Sequence, residues 1–456
     1  MNRGGRICVK LRPGVETRAP AHLDVLAGAA RAAGTIDGGG RVDRAILARV
    51  TGMRARRQFH SRLGLHRVGE RAAAYDDLEI SLGLPDTLAL ELAEPDRAAE
   101  VVAELRLLEM IEWAMVEPLA LAPLAAAAAA PEPAGHDSAA AFERVGATRA
   151  LTIEPGSRAV PVAVIDTGVA LEHVEFSGKL RSGFDAVDLG MGKIADGVTL
   201  VGDSLGRDFC ARDETGHGSH VAGVIGAAGL GMPRGIAGAS PIIPVRALAA
   251  ALMGSGELVG VGGLSDIDAA IKIAVDLGAK VINMSFGTAG ADLDPDAPGP
   301  HSDVLRYAEA HRVIPVAAMG NSGLEETYYP AALPQTIAVG SMALDGRVSE
   351  FSTSGPHIAL CAPGEDVFSA GLDGYRESTG TSHAAPFVAG AAALLAARAL
   401  SRGHDLTGAE AKQLLTASAE GAARGHDHGA GSGMLDIPAA LRLLDQTDFH
   451  ERETTP

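Results

Sequence analysis

Cysteine is scarce: Cys8, Cys210 and Cys361 are the only three in 456 residues, and no C-x-x-C pair occurs. An odd, widely spaced set excludes a disulfide framework, and no histidine stands at metal-ligand spacing from any of the three. Positive charge is also short, with 39 Lys and Arg against 57 Asp and Glu and a formal net charge of -18. Phosphate binding draws its affinity from clustered Lys and Arg, so the composition argues against a nucleic-acid partner. Long apolar runs are missing too. The opening MNRGGRICVKLRPG has no apolar stretch of the length a secretory leader uses, and no uninterrupted run reaches bilayer length. These absences predict a cytoplasmic, reducing setting without membrane contact, and only a misassigned start would open the way to secretion.

Apolar residues, at 47%, are plentiful, and the length exceeds one ordinary core, so two folded units are expected. Residues 1–118 mix short apolar runs (ICVKL, LALEL, MIEWAMVEP) with a stretch at 96–108 whose apolar positions recur at helical spacing. That is the pattern of a small α+β unit. The Arg-rich stretch 41–71 reads as a solvated helical face. Residues 119–141, rich in Ala and Pro, read as an exposed linker. From 142 to 446, apolar runs (VPVAVID, IIPVRAL, KVINMSF, VIPVAAM, TIAVG, IALCAPG) alternate with Ala-rich helical stretches. This predicts an α/β unit with a mostly parallel sheet flanked by helices. Residues 447–456 form a C-terminal tail.

Four segments carry chemistry. Residues 162–168 are an apolar strand ending on Asp166, at the carboxyl edge where open α/β sheets place reactive groups. Residues 213–223 set His217 between glycines at the start of a small-residue helix. Residues 380–390 put Ser382 in the first turn of a long apolar helix, where unpaired N–H groups and the dipole favour developing negative charge. The fourth, 316–323, carries Asn321 before Ser322 and Gly323. Singly, each has a plain reading: Asp166 as a cap, His217 as a helix-start residue, Ser382 as an N-cap, and Asn321 as part of a turn.

Together, in the order Asp, His, Ser, these segments resemble the subtilisin family of serine peptidases over about residues 142–446. The resemblance implies a serine endopeptidase that hydrolyses peptide bonds in proteins or peptides and needs no cofactor for its chemistry. Ser382 would attack the scissile carbonyl, His217 would take the proton, and Asp166 would orient the imidazole. Asn321 and the Ser382 N–H would hold the oxyanion. Residues 283–287, with Ser285, Phe286 and Gly287, resemble the strand that lines the primary specificity pocket. Residues 252–256, with Gly254, Ser255 and Gly256, resemble the edge that pairs with an extended substrate. Met319 and Tyr328 fall where smaller residues often border that pocket, and Glu325 and Glu326 raise the expectation of a basic residue on the acyl side.

Residues 1–118 resemble the family's propeptides. That implies a ferredoxin-like fold whose tail enters the active site as an intramolecular inhibitor, a zymogen, and a processing site in the linker. Three departures stand out. Ser219 replaces a common Thr, and His383 stands where Met is frequent. The family's calcium loop finds no side-chain oxygens at 229–235, and the acidic run Asp292, Asp294, Asp296 is interrupted by Pro295, so a structural calcium ion lacks support. The main rival is a catalytically silent relative that binds peptides as a scaffold. A nucleotide site at 226–231 is set aside, because its glycines follow a helix and no P-loop Lys appears.

Overall fold

A computed structural model describes residues 1–20, 34–62, 75–123 and 138–449. Residues 124–137 of the linker expected to hold the processing site, the end of the Arg-rich stretch and the last residues of the tail lie outside these.

The N-terminal unit runs β1 (Asn2–Leu11), α1 (Arg41–Leu47), β2 (Met53–Arg57), β3 (Thr87–Leu92), α2 (Ala98–Leu105) and β4 (Ile111–Pro123). Its strands pair antiparallel in the order β2-β3-β1-β4. This β-α-β-β-α-β order is ferredoxin-like. Alternate residues Ile7, Val9 and Leu11 of β1 meet Leu88 and Leu90 of β3, and Val42, Ile46, Val101 and Leu105 from the helices close the same core. The Arg-rich stretch is not one helix. Residues 53–57 form a strand because Met53 and Ala55 enter this core while the backbone pairs with β3.

The larger unit is built on β5 (Val162–Asp166), β6 (Ile242–Arg246), β9 (Val281–Met284), β10 (Ile314–Ala318), β11 (Ile337–Met342) and β12 (Ile358–Pro363). These are parallel in the order β12-β11-β10-β9-β5-β6, with a short edge strand, Phe184–Asp185. Every residue of the six is buried, as continuous apolar runs require of a sheet covered on both faces. One face carries α3 (His217–Gly226) and α5 (Thr381–Ser401); the other carries α4 (Leu264–Asp276) and the helix Ser302–Ala310. Among the described residues α5 alone is long and apolar enough to cross a bilayer, yet it is the buried core helix.

Two strands outside that sheet matter for the site: β7 (Ala249–Met253) and β8 (Leu258–Gly263), an antiparallel pair. Residues 119–123, expected as linker, are the second half of β4, because their backbone finds a partner in β8 from Leu119↔Gly263 to Pro123↔Val259. One sheet of eight strands therefore runs from the N-terminal unit into its neighbour. Buried charge follows the same seam. Glu117 accepts from the Ser265 N–H at 2.9 Å, in the first turn of α4, and also from the Ser265 hydroxyl. Lys272 lies 2.6 Å from Glu79 and 2.8 Å from Asp276, all three fully enclosed. The acidic loop also faces the N-terminal unit: Asp294 bonds Arg106 at 2.5 Å. No cluster of three or more His, Cys, Asp or Glu suited to a metal occurs among the described residues.

Candidate active site

Strand β5 ends on Asp166 and helix α3 opens on His217, and the two side chains meet in the interior. Asp166 Oδ1 lies 2.7 Å from His217 Nδ1 and accepts from the Thr167 N–H at 2.7 Å. A carboxylate only accepts, so Nδ1 carries the proton and Nε2 is left as the basic nitrogen. This approach depends on Gly218, where a Cβ would lie 2.1 Å from the Gly168 carbonyl oxygen.

Asp213, to which sequence reasoning gave no role, organises the entry to α3. Its Oδ1 accepts from the Thr167 hydroxyl at 2.8 Å and the N–H groups of Thr215 and Gly216 at 2.9 and 3.0 Å. Its Oδ2 accepts from the N–H and hydroxyl of Ser219 at 2.9 and 2.7 Å. The signal in the sequence was an Asp shortly before a helix start, a residue suited to bonding backbone two and three positions on. The Ser219 hydroxyl in turn accepts from the Ala170 N–H at 2.8 Å, so the Thr-to-Ser departure keeps its bonding oxygen.

Ser382 sits in the first turn of α5. Its hydroxyl donates to the Ser285 carbonyl at 3.0 Å, while the Ser285 hydroxyl donates to the Ser382 carbonyl at 2.8 Å. Buried His217 Nε2 has no partner among the described residues. The Asp–His contact is thus made and the Ser–His contact is not, a state common before substrate engages. Asn321 Oδ1 accepts from the N–H and hydroxyl of Thr381 at 2.9 and 2.8 Å. An N–H can only donate, which identifies the amide oxygen and leaves Nδ2 directed elsewhere.

His383 is fully buried, its ring centroid 5.4 Å from that of His217 and 4.4 Å from that of His220. Burial, then the neighbouring histidines and Arg376, hold His383 well below the ordinary histidine range. Burial likewise pushes His220 down to about 3, and its Nε2 donates to the Val367 carbonyl at 2.8 Å. His383 is therefore a neutral, enclosed packing neighbour of the site.

The cleft beside Ser382 is occupied by the chain itself. Residues 119–123 lie between β8 and Gly287, and Leu121 exchanges both backbone bonds with Gly287 at 3.1 and 3.2 Å. Some expected substrate-facing residues fall elsewhere. Gly254, Ser255 and Gly256 form the exposed turn between β7 and β8, where Gly256 takes φ 84; the pairing edge is β8 beyond that turn. Phe286 and Met319 point into the core, because alternate residues beside a buried sheet face inward. Ser285 and Gly287 line the cleft through their backbones, and the Tyr328 ring packs on Gly287. Glu325 is exposed and bonds His428 at 2.8 Å.

The subtilase family model matches residues 157–433. A thermophilic serine proteinase of Bacillus sp. strain AK1 is 37% identical over 54% of this chain and 54% of its own length, so the chain spans about half of that relative. The major intracellular serine protease of Bacillus subtilis strain 168 is 34% identical over 52% of this chain and 68% of its own. The solved protease of Pseudoalteromonas arctica PAMC 21717 superposes with a TM-score of 0.53 at 25% identity, covering 66% of this chain and 94% of that one. With the family model spanning more than half the chain and a solved relative sharing the fold of its larger unit, the chain belongs to the subtilase family, and that unit is a subtilisin-like serine peptidase, a hydrolase.

Proposed function

We propose that the protein is a serine endopeptidase working through Asp166, His217 and Ser382, with Asn321 as oxyanion donor, and that its N-terminal unit is an intramolecular inhibitor of the same site. The observation that carries this reading is a buried 2.7 Å Asp166–His217 contact beside a cleft already holding an extended peptide strand. A substrate would lie where residues 119–123 lie, adding a strand between β8 and Gly287. The Ser382 hydroxyl then turns from the Ser285 carbonyl to His217 Nε2, gives up its proton and attacks the scissile carbonyl. The oxyanion is held by the Ser382 N–H, unpaired in the first helical turn, and by Asn321 Nδ2. His217 passes the proton to the leaving amine, and water releases the acyl group by the reverse steps. Side chains and one backbone amide carry every step, with no cofactor.

In the resting chain the strand at 119–123 fills the acyl side of the cleft, which supports the reading as a zymogen. Pairing of Leu121 with Gly287 sets residue 123 opposite Ser285, since paired positions in an antiparallel ladder recur every two residues. Residue 123 is Pro, which has no N–H to offer the Ser285 carbonyl. That carbonyl keeps the Ser382 hydroxyl instead. Substrates are proteins or peptides, and the setting we propose is intracellular.

The test compares the full chain with Ser382→Ala by intact mass and casein hydrolysis. Loss of N-terminal residues followed by casein cleavage, in the unmodified chain alone, is the expected result. An unmodified chain that stays intact and as inert as Ser382→Ala overturns the proposal in favour of a peptide-binding scaffold.

A further inference from the structure

Residue 123 of the resting chain lies opposite Ser285, whose carbonyl holds the nucleophile. A substrate residue at that position presents its carbonyl to Ser382 and Asn321, the reaction assigned above, on which this inference rests. Asn321 directly follows Gly320. The side chain of that substrate residue must therefore enter the slot between segment 285–287 on one side and Gly320 on the other.

Both walls of the slot are glycine, and the space between them is not open. A Cβ on Gly287 would lie 2.3 Å from Tyr328 Cε1, and a Cβ on Gly320 would lie 3.1 Å from both Tyr328 Cδ2 and Cε2. The two faces of contact are opposite edges of one ring, so the phenol spans the slot from wall to wall. Its backbone holds it there: Tyr328 pairs with Ala289 and Tyr329 with Thr288, continuing directly from Gly287, and the Tyr328 carbonyl accepts from the Ala332 N–H at 2.8 Å. The ladder fixes where the Tyr328 side chain starts, and rotating the ring out of the slot would leave an aromatic-sized void between two backbones.

We infer that Tyr328 is the specificity-determining residue of this peptidase, closing the slot so that only small side chains are accepted immediately before the cleaved bond. Rejection of larger residues is steric, and it needs no charge in the slot; Glu325 is turned away to His428.

The experiment maps cleavage sites by mass spectrometry in a library of unstructured peptides, using the full chain, Tyr328→Gly and Tyr328→Phe. Each protein is labelled in parallel with a serine-directed fluorophosphonate. The unmodified chain and Tyr328→Phe are expected to cut after Gly, Ala and Ser. Tyr328→Gly is expected to cut after Phe, Tyr, Leu and Met, with the ratio of kcat/KM for Phe over Ala rising by about 10–200-fold, the span one hydrophobic contact difference produces. Cleavage after large aromatics by the unmodified chain overturns the inference, whether or not Tyr328→Gly folds. A labelled Tyr328→Gly with an unchanged profile overturns it as well. Absence of labelling in the unmodified chain instead overturns the peptidase reading and takes this inference with it.

Discussion

Asp213 holds three backbone N–H groups and three hydroxyls, those of Thr167, Thr215 and Ser219, in a region closed to water. Asp213→Ala would leave those buried donors unpaired, and each unpaired group costs about 1–3 kcal/mol before relaxation. The expected result is a fall in denaturation midpoint together with lost activity, since α3 carries His217. Asn321→Ala makes a contrast. It should lower kcat by about 10²–10³ and leave KM nearly unchanged, a figure carried over from subtilisin's own oxyanion asparagine. Steady-state kinetics on a peptide substrate separates the two, because only Asp213→Ala should also lose stability. His220 and His383 act on stability through pH. Both are held below 6.5 in the folded chain, His220 to about 3, so below 6.5 the unfolded state binds more protons than the folded one. Stability is full above that value and falls as pH drops from 6.5 toward 3, by at most about 1.4 kcal/mol per pH unit for each group. His383→Met should flatten this loss in thermal melts between pH 6 and 4. An unchanged slope would mean that His383 already titrates normally.

At the scale of elements, the decisive piece is β4, one strand that belongs to two units. Its first half pairs with β1 and its second with β8, so the core of the N-terminal unit holds the tail in the cleft. Pro123→Ala restores an N–H facing the Ser285 carbonyl and competes with the Ser382 hydroxyl for it. Self-cleavage after residue 123 should then appear faster than in the unmodified chain, read as a new N-terminus at Leu124 by intact mass. If the rate does not change, Pro123 is not what restrains the nucleophile. Helix α3 illustrates a tighter constraint: Gly218→Ala places a Cβ 2.1 Å from the Gly168 oxygen, so β5 and α3 must separate and the Asp166–His217 contact must lengthen.

Across the whole molecule, the seam between the units is charged and buried. Glu117 accepts at the start of α4 and lies 3.4 Å from Arg6, which also approaches Asp266 at 3.5 Å. Glu117→Ala leaves that guanidinium with less compensation and uncaps α4, a loss of about 3–5 kcal/mol by the usual cost of breaking a buried pair. Two-step thermal unfolding is expected, with the N-terminal unit loosening first. Much of the architecture was legible beforehand. Continuous apolar runs marked β5, β6 and β9 to β12, because strands buried on both faces cannot alternate. The order of Asp166, His217 and Ser382, each at an element terminus, marked the candidate site, because those termini face one edge of the sheet. Residues 119–123 were misread as linker, since Ala and Pro carry no strand signal of their own; pairing with β8 made them a strand. Gly254, Ser255 and Gly256 were misplaced for the converse reason, as a local glycine pattern does not say which side of a hairpin faces the cleft. The amino-acid sequence by itself determined the fold class and the residue types at the site, through periodicity and local chemistry. Only the tertiary structure decided what fills the cleft, that His383 is enclosed and that the Tyr328 ring lies between two glycines, because these depend on contacts between segments far apart in the chain.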